Sequence, residues 1–77
     1  MTSNHHLDTR GLKCPLPVLK IAKRLKSMKA GEQLSIDATD PAAQIDVPHF
    51  CAQAGHVLLV SGELDGVYQF TIRRGEG

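Results

Sequence analysis

Apolar side chains recur every three or four residues between positions 18 and 28, which is the period of an amphipathic helix. At about 100° per residue these positions fall within one stripe, so the helix is predicted to bury that stripe and expose the rest. Gly31 follows and is predicted to end the helix. The apolar positions are Val18, Ile21, Ala22, Leu25 and Met28.

Apolar and polar residues then alternate over Glu32–Ala38, which is typical of a half-buried strand with Leu34 and Ile36 on its inner side. A briefer alternation at Leu7 and Thr9 predicts a first strand. Two later runs rich in Val, Leu, Tyr, Phe and Ile predict strands over 56–62 and 67–73, and the intervening Asp-Gly pair predicts a hairpin turn.

Two helix-start signals lie between the second and third strands. Asp40-Pro41 and Asp46-Val47-Pro48 each place an acidic capping residue before a proline. A proline in mid-helix removes a hydrogen bond, so Pro48 is not expected there and a broken second helix is predicted, with Asp46 as its cap. Its main part is expected over Val47–Ala54, with Phe50 and Cys51 among its buried residues and Gly55 as its stop.

The predicted order is strand, helix, strand, helix, strand, strand. One-sided alternation in the second strand places both helices on a single face of the sheet. The sequence therefore predicts an α+β fold, a two-layer α/β sandwich in βαβαββ order.

Composition agrees with one globular domain over 1–77, with an ordered core at about 7–74: 42% of the 77 residues are hydrophobic and 22% are charged. The longest apolar run, Val57–Val60, is too short for a membrane span, and Met1–Leu7 lacks the apolar core of a secretory signal. We therefore expect a cytoplasmic protein. Its two cysteines are too few for a disulfide scaffold and are predicted to be reduced.

The net charge of +1 conceals a strong asymmetry along the chain. No acidic residue lies between Asp8 and Glu32, whereas that stretch holds seven Lys and Arg residues. Helical geometry places Leu16, Lys20, Lys23 and Arg24 away from the apolar stripe. These four residues, which we call the basic helix face, are predicted to dock acidic partners.

The segment before the first helix carries the strongest chemical signal. Cys14 is predicted at the N-cap, with Pro15, Leu16 and Pro17 as the first three helical residues. The prolines remove two of the N–H groups that a helix start presents and leave those of Leu16 and Val18.

Those amides, the positive end of the helix dipole, and the cations Arg10 and Lys13 favour a thiolate. Cys14 is therefore predicted to be a nucleophile with a depressed pKa. The alternative is an inert buried cysteine in a structural or docking module, since prolines are also common in first turns for structural reasons.

The other candidate functional residues carry weaker signals. Cys51 lacks a proline-capped start and neighbouring cations, so it is predicted to be a buried structural cysteine. The basic helix face also permits nonspecific nucleic-acid binding, but one Tyr and two Phe offer little base stacking. No metal site is expected, because no carboxylate spacing completes one around the histidines, and His56 is expected in a turn. The histidines are His5, His6, His49 and His56.

Taken together, several motifs resemble the TusA/SirA-like family of small sulfur carrier proteins. They are Leu7-Asp8, Gly11-Leu12-Lys13-Cys14-Pro15-Leu16-Pro17-Val18, Met28-Lys29-Ala30-Gly31-Glu32, Asp40-Pro41-Ala42, Asp46-Val47-Pro48, Phe50-Cys51 and Gly55-His56.

The resemblance implies a mixed four-stranded sheet and a persulfide carried on the cysteine of the Cys-Pro-x-Pro motif, here Cys14. It implies a cysteine desulfurase or rhodanese as sulfur donor and a DsrE-like or related cysteine-bearing protein as acceptor. The pathways implied are tRNA 2-thiouridine synthesis, cytoplasmic sulfur oxidation or molybdenum-cofactor formation. Some relatives carry an acidic residue at Leu16, which leaves the partner open. We expect a monomer with no cofactor, no direct nucleic-acid contact and no membrane contact, and a sulfurtransferase component rather than a free-standing enzyme.

Overall fold

Two helices and four strands make up the computed structural model, which describes residues 4–76. The elements are β1 (Asn4–Thr9), α1 (Leu16–Lys26), β2 (Gln33–Ala38), α2 (Ala43–Ala54), β3 (Val57–Leu64) and β4 (Val67–Arg73). The strands lie in the order β1-β2-β4-β3, with β1 parallel to β2 and the other pairs antiparallel. The predicted α+β sandwich with a mixed four-stranded sheet is confirmed. Residues 1–3 and 77, which lie beyond the ordered core predicted at about 7–74, are outside the described residues.

The core forms between the helices and one face of the sheet. Ile36 of β2 pairs with Phe70 of β4 and Leu34 pairs with Ile72, and all four side chains are buried. Alternation along each strand points these side chains to the same face, as the sequence predicted for β2. The helices and the segment after α1 complete the core with Ile21, Leu25, Met28, Ala43, Val47 and Cys51.

α1 begins and ends at residues that differ from the prediction. Its N-cap is Pro15, so Cys14 lies one residue before the cap and caps no helix. Its C-cap is Ser27, whose N–H and hydroxyl both donate to the carbonyl of Arg24, at 3.1 and 2.8 Å. Gly31 therefore does not end the helix. It lies in the turn before β2 with a φ of 91°, a conformation that glycine adopts without strain.

α2 is one continuous helix, so the predicted break and the capping role of Asp46 are wrong. The start signal at Asp40 is used instead: its Oδ1 accepts the N–H of Ala42 at 3.1 Å and its carbonyl accepts that of Ala43 at 2.9 Å. Asp46 then lies inside the helix, as does Pro48. The carbonyl that Pro48 leaves without its helical partner belongs to Gln44, an exposed residue that water can reach.

Gly55 ends α2 with a φ of 80°, as predicted. The predicted hairpin is also confirmed, since Asp65 and Gly66 alone connect β3 and β4, with φ values of 51° and 82°. Positive φ at both positions is typical of the two-residue turn whose twist matches that of the strands. β3 runs two residues further than predicted, to Leu64.

α1 and α2 have 11 and 12 residues. Within residues 4–76, no helix combines the length and the apolar character that a bilayer-spanning segment requires.

Candidate functional site

Cys14 lies exposed in the turn between β1 and α1. Two hydrogen bonds tie this turn to the loop before α2: Gly11 N–H donates to Thr39 Oγ1 at 2.9 Å, and Cys14 N–H donates to Asp40 Oδ2 at 2.6 Å. Since α1 begins soon after Cys14 and α2 soon after Asp40, both helices start at the same end of the molecule. The backbone at Cys14 is therefore tied to the segment before α2 as well as to the start of α1.

A shallow depression of about 220 Å³ opens beside the thiol. One side is formed by Cys14, Pro15 and Val18, and α2 forms the other. The residues from α2 are Asp46, His49, Phe50 and Gln53.

The polar residues that α2 contributes to this depression were not predicted as part of the site. Asp46, His49 and Gln53 are spaced by three and four residues, so they share one face of a helix. That spacing is the signal that could have found them. The predicted break before Val47 hid it, because it removed Asp46 from the helix that carries the other two.

The pKa of Cys14 lies above its ordinary value, and hydrogen bonding of the thiol to the carboxylate of Asp46 is the largest cause. Desolvation and the negative charges of Asp46 and Asp40 act in the same direction. The predicted depression of this pKa is therefore wrong. The prediction considered only the end of α1 and cations close in sequence, whereas the fold brings two carboxylates to the thiol.

The cations expected to support a thiolate act elsewhere. Arg10 forms a two-pronged ion pair with Asp8, with Nε to Oδ1 at 2.9 Å and the terminal nitrogen to Oδ2 at 3.0 Å. This pair lowers the pKa of Asp8 to about 2. The N–H groups of Cys14 and Ala42, followed by the charge of Lys13, lower the pKa of Asp40. Arg10 and Lys13 thus stabilise carboxylates, which removes the basis for their predicted role at the thiol.

The basic helix face is present on α1. Lys20, Lys23 and Arg24 line a second depression together with Leu7 and Ser27. Leu16, the fourth member of the face, is 48% exposed, and its neighbour Leu19, which the sequence analysis did not single out, is 57% exposed. Two exposed leucines on a helix that also presents cations form a surface suited to protein contact. The docking role of these residues stays a prediction.

Cys51 is 3% exposed within the core, which confirms its prediction as a buried cysteine. Burial raises the pKa of its thiol. Both thiols are free. A thiol reagent in solution therefore has access to Cys14 but not to the buried Cys51.

The histidines have separate environments. Nε2 of His5 lies 3.3 Å from Glu32 Oε2, and Nε2 of His6 lies 3.3 Å from Asp37 Oδ2, at the edge strand β1. His56 follows the end of α2, and its Nδ1 accepts the N–H of Gly75 at 2.9 Å. In the part of the chain that the structure describes, no three metal-ligating side chains come together.

A two-layer sandwich with an exposed cysteine before a proline-rich helix start defines a class of small thiol proteins. Comparison with protein families identifies it: the model of the family described as "Sulfurtransferase TusA" matches residues 5–74. The chain belongs to the TusA family.

Individual relatives agree with this family. The chain is 48% identical over 67 residues to "Putative sulfur carrier protein NMA0882" of Neisseria meningitidis serogroup A, covering 87% of this chain and 90% of that protein. The same values hold for "Putative sulfur carrier protein NMB0681" of serogroup B. The crystal structure of a SirA-like protein from Desulfitobacterium hafniense is similar with a TM-score of 0.80 and 25% identity, over 96% of this chain and 100% of that one. The fold and the sulfur carrier family are thereby established together.

Proposed function

We propose that the protein carries sulfane sulfur as a persulfide on Cys14. The observation that supports this is the exposed thiol of Cys14 in the Cys-Pro-Leu-Pro turn of a TusA family chain, while the other cysteine is buried. Persulfide transfer is the attack of one sulfur on another, followed by departure of a thiolate. It requires an accessible sulfur and a place for one proton, which this small site supplies.

In this role the protein is a sulfurtransferase component that other proteins load and unload. The family resemblance supports a cysteine desulfurase or a rhodanese as donor and a DsrE-like or related protein as acceptor. It supports delivery to tRNA thiolation, sulfur oxidation or molybdenum-cofactor formation. We place this activity in the cytoplasm, in a monomer that forms one sulfur carrier domain over 1–77.

Intact-mass spectrometry tests this function. The protein is incubated in parallel with a cysteine desulfurase plus cysteine and with a rhodanese plus thiosulfate. We expect a gain of about 32 Da, one sulfur atom, that reductant reverses. The control is protein alkylated under native conditions, in which the exposed Cys14 is blocked and no gain is expected. Absence of the gain with both donors contradicts the carrier function.

The basic helix face predicts a charge-dependent encounter with the donor protein. Replacing Lys20 and Lys23 together with Glu is expected to slow loading by a donor protein about tenfold or more at low salt, because attraction to an acidic partner becomes repulsion. The wild-type rate is expected to fall with added salt, and the rate of the variant is not. Stopped loading reactions analysed by mass give both rates.

A matched variant separates this surface from charge in general. Lys26 and Lys29 are also exposed cations, and neither lines the depression formed by Lys20 and Lys23. Replacing both with Glu makes the same change in net charge and is expected to slow loading much less. Equal slowing by the two double variants would show that net charge, rather than the basic helix face, governs the encounter.

A further inference from the structure

Asp46 is the carboxylate that lines the same depression as the thiol of Cys14, although 32 residues separate the two in sequence. Hydrogen bonding to this carboxylate is also the largest cause that raises the pKa of the thiol. Asp40, the other nearby carboxylate, is engaged differently: its two oxygens accept the backbone N–H groups of Cys14 and Ala42. Asp40 therefore holds the backbone in place, whereas Asp46 faces the depression that the thiol opens into.

This arrangement creates a problem for a sulfur carrier that Asp46 itself can solve. A thiol beside two carboxylates stays protonated at neutral pH, whereas the thiolate is the form that attacks sulfur. A proton must leave Cys14 as the attack proceeds. The carboxylate of Asp46, which lines the same depression as the thiol, is placed to receive that proton.

We propose that Asp46 is a catalytic residue of sulfur transfer that relays the proton of Cys14 to the departing thiol of the donor. This inference rests on the proposed carrier function.

The step balances without an added oxidant. The Cys14 proton moves to an oxygen of Asp46 while the Cys14 sulfur attacks the outer sulfur of the donor persulfide. A new S–S bond forms, the S–S bond of the donor breaks, and the bonding pair leaves with the inner sulfur as a thiolate. That thiolate takes the proton from Asp46. The outer sulfur keeps whatever proton it carried, and Asp46 returns to a carboxylate.

Several other charged or titratable groups surround Cys14. Lys13 precedes it in the chain and acts on Asp40. Asp40 lies in the loop before α2, and His49 lines the same depression from α2. The imidazole of His49 is also able to accept a proton, so a test of Asp46 must separate the two.

The test uses glutathione persulfide as the donor, because a small molecule does not depend on the docking surface. The rate of the 32 Da gain is compared with the rate of alkylation by iodoacetamide at pH 7, for the wild type and for Asp46→Asn. The variant keeps the size of the side chain and removes the proton acceptor. We expect it to be alkylated faster, because a negative charge no longer disfavours the thiolate, and to be loaded slower, by about a hundredfold, the lower range for a positioned proton-transfer group.

A proton relay predicts that Asp46→Asn accelerates alkylation and slows loading. If Asp46 only disfavoured the thiolate, Asp46→Asn would accelerate both reactions, and that result would overturn the proposal. Loading at the wild-type rate would overturn it equally. If the wild type gained no sulfur from any donor, the carrier function would fail and the relay with it, so the two failures are distinguishable.

Dependence on pH gives a second readout. With the relay, wild-type loading varies little below the pKa of the thiol, whereas loading of Asp46→Asn rises about tenfold per pH unit as the thiolate forms. Asp46→Glu, which restores a carboxylate, is expected to recover a flat profile. The exposed turn variant Asp65→Asn is expected to leave both the rate and the profile unchanged. A steep profile in His49→Gln would assign the relay to His49 and overturn the role of Asp46.

Discussion

Replacing Cys14 with serine is expected to abolish sulfur loading altogether. Serine is close to cysteine in size, but a hydroxyl cannot form a persulfide. Because Cys14 is exposed, the substitution leaves the core untouched, and the unfolding midpoint in urea should match that of the wild type. The measurement is intact mass after incubation with a charged donor, where the variant should show no gain while the wild type gains about 32 Da.

Cys51→Ala is the matched control. Cys51 is the other cysteine, and it is buried against the core cluster. Its removal is expected to lower the free energy of unfolding by about 1–2 kcal/mol, as small core truncations do, and to leave loading intact. Loading that survives in Cys14→Ser and disappears in folded Cys51→Ala would contradict the assignment of the carrier cysteine.

Ile36→Ala is expected to produce the largest loss of stability. Ile36 is fully buried at the centre of β2 and pairs with Phe70 of β4, so truncation leaves a cavity between the sheet and the helices. Such truncations cost about 2–5 kcal/mol, against a total stability of about 5–15 kcal/mol for typical domains. Urea unfolding followed by circular dichroism should show a midpoint far below that of the wild type, or a chain that is already unfolded.

The same chemical change at Ile45 tests whether burial is the cause. Ile45 lies on α2 and is 74% exposed. Ile45→Ala removes the same atoms without opening a cavity and is expected to shift the free energy of unfolding by no more than about 0.5 kcal/mol. Comparable losses in the two variants would show that the core does not lie where the structure places it.

The sheet was predictable because its signals are local. The alternation that ends at Ala38 and the Asp-Gly pair at Asp65 each act within a few residues, and both elements formed where expected. The start of α2 was not predictable, because the sequence contains two competing start signals. The signal at Asp40 is the one used, because the carboxylate of Asp40 also accepts the N–H of Cys14, a tertiary contact that no local pattern contains. Pro48 then lies inside the helix that begins after Asp40.

The candidate site was also predictable only in part. The prolines beside Cys14 correctly indicated that a helix begins there, although its N-cap is Pro15 and not Cys14. The direction of the pKa shift of the Cys14 thiol was not predictable, because Arg10 and Lys13 are close in sequence whereas Asp46 is brought near only by the fold. The sign of the pKa shift was therefore inverted. Charge along a chain indicates the environment of a side chain only where the fold brings no distant charge to it.

The contact between α2 and Cys14 also links chemistry to folding. Asp40 and Asp46 reach the thiol only when the tertiary structure is intact, so the folded chain holds a less acidic thiol than the unfolded chain does. Raising the pH through the folded-state pKa of Cys14 therefore works against the fold. Peroxide consumes thiolates, and at neutral pH an unfolded molecule loses its sulfur site to oxidation sooner than a folded one. The two carboxylates therefore protect the thiol from oxidation, and they do so only in the folded molecule.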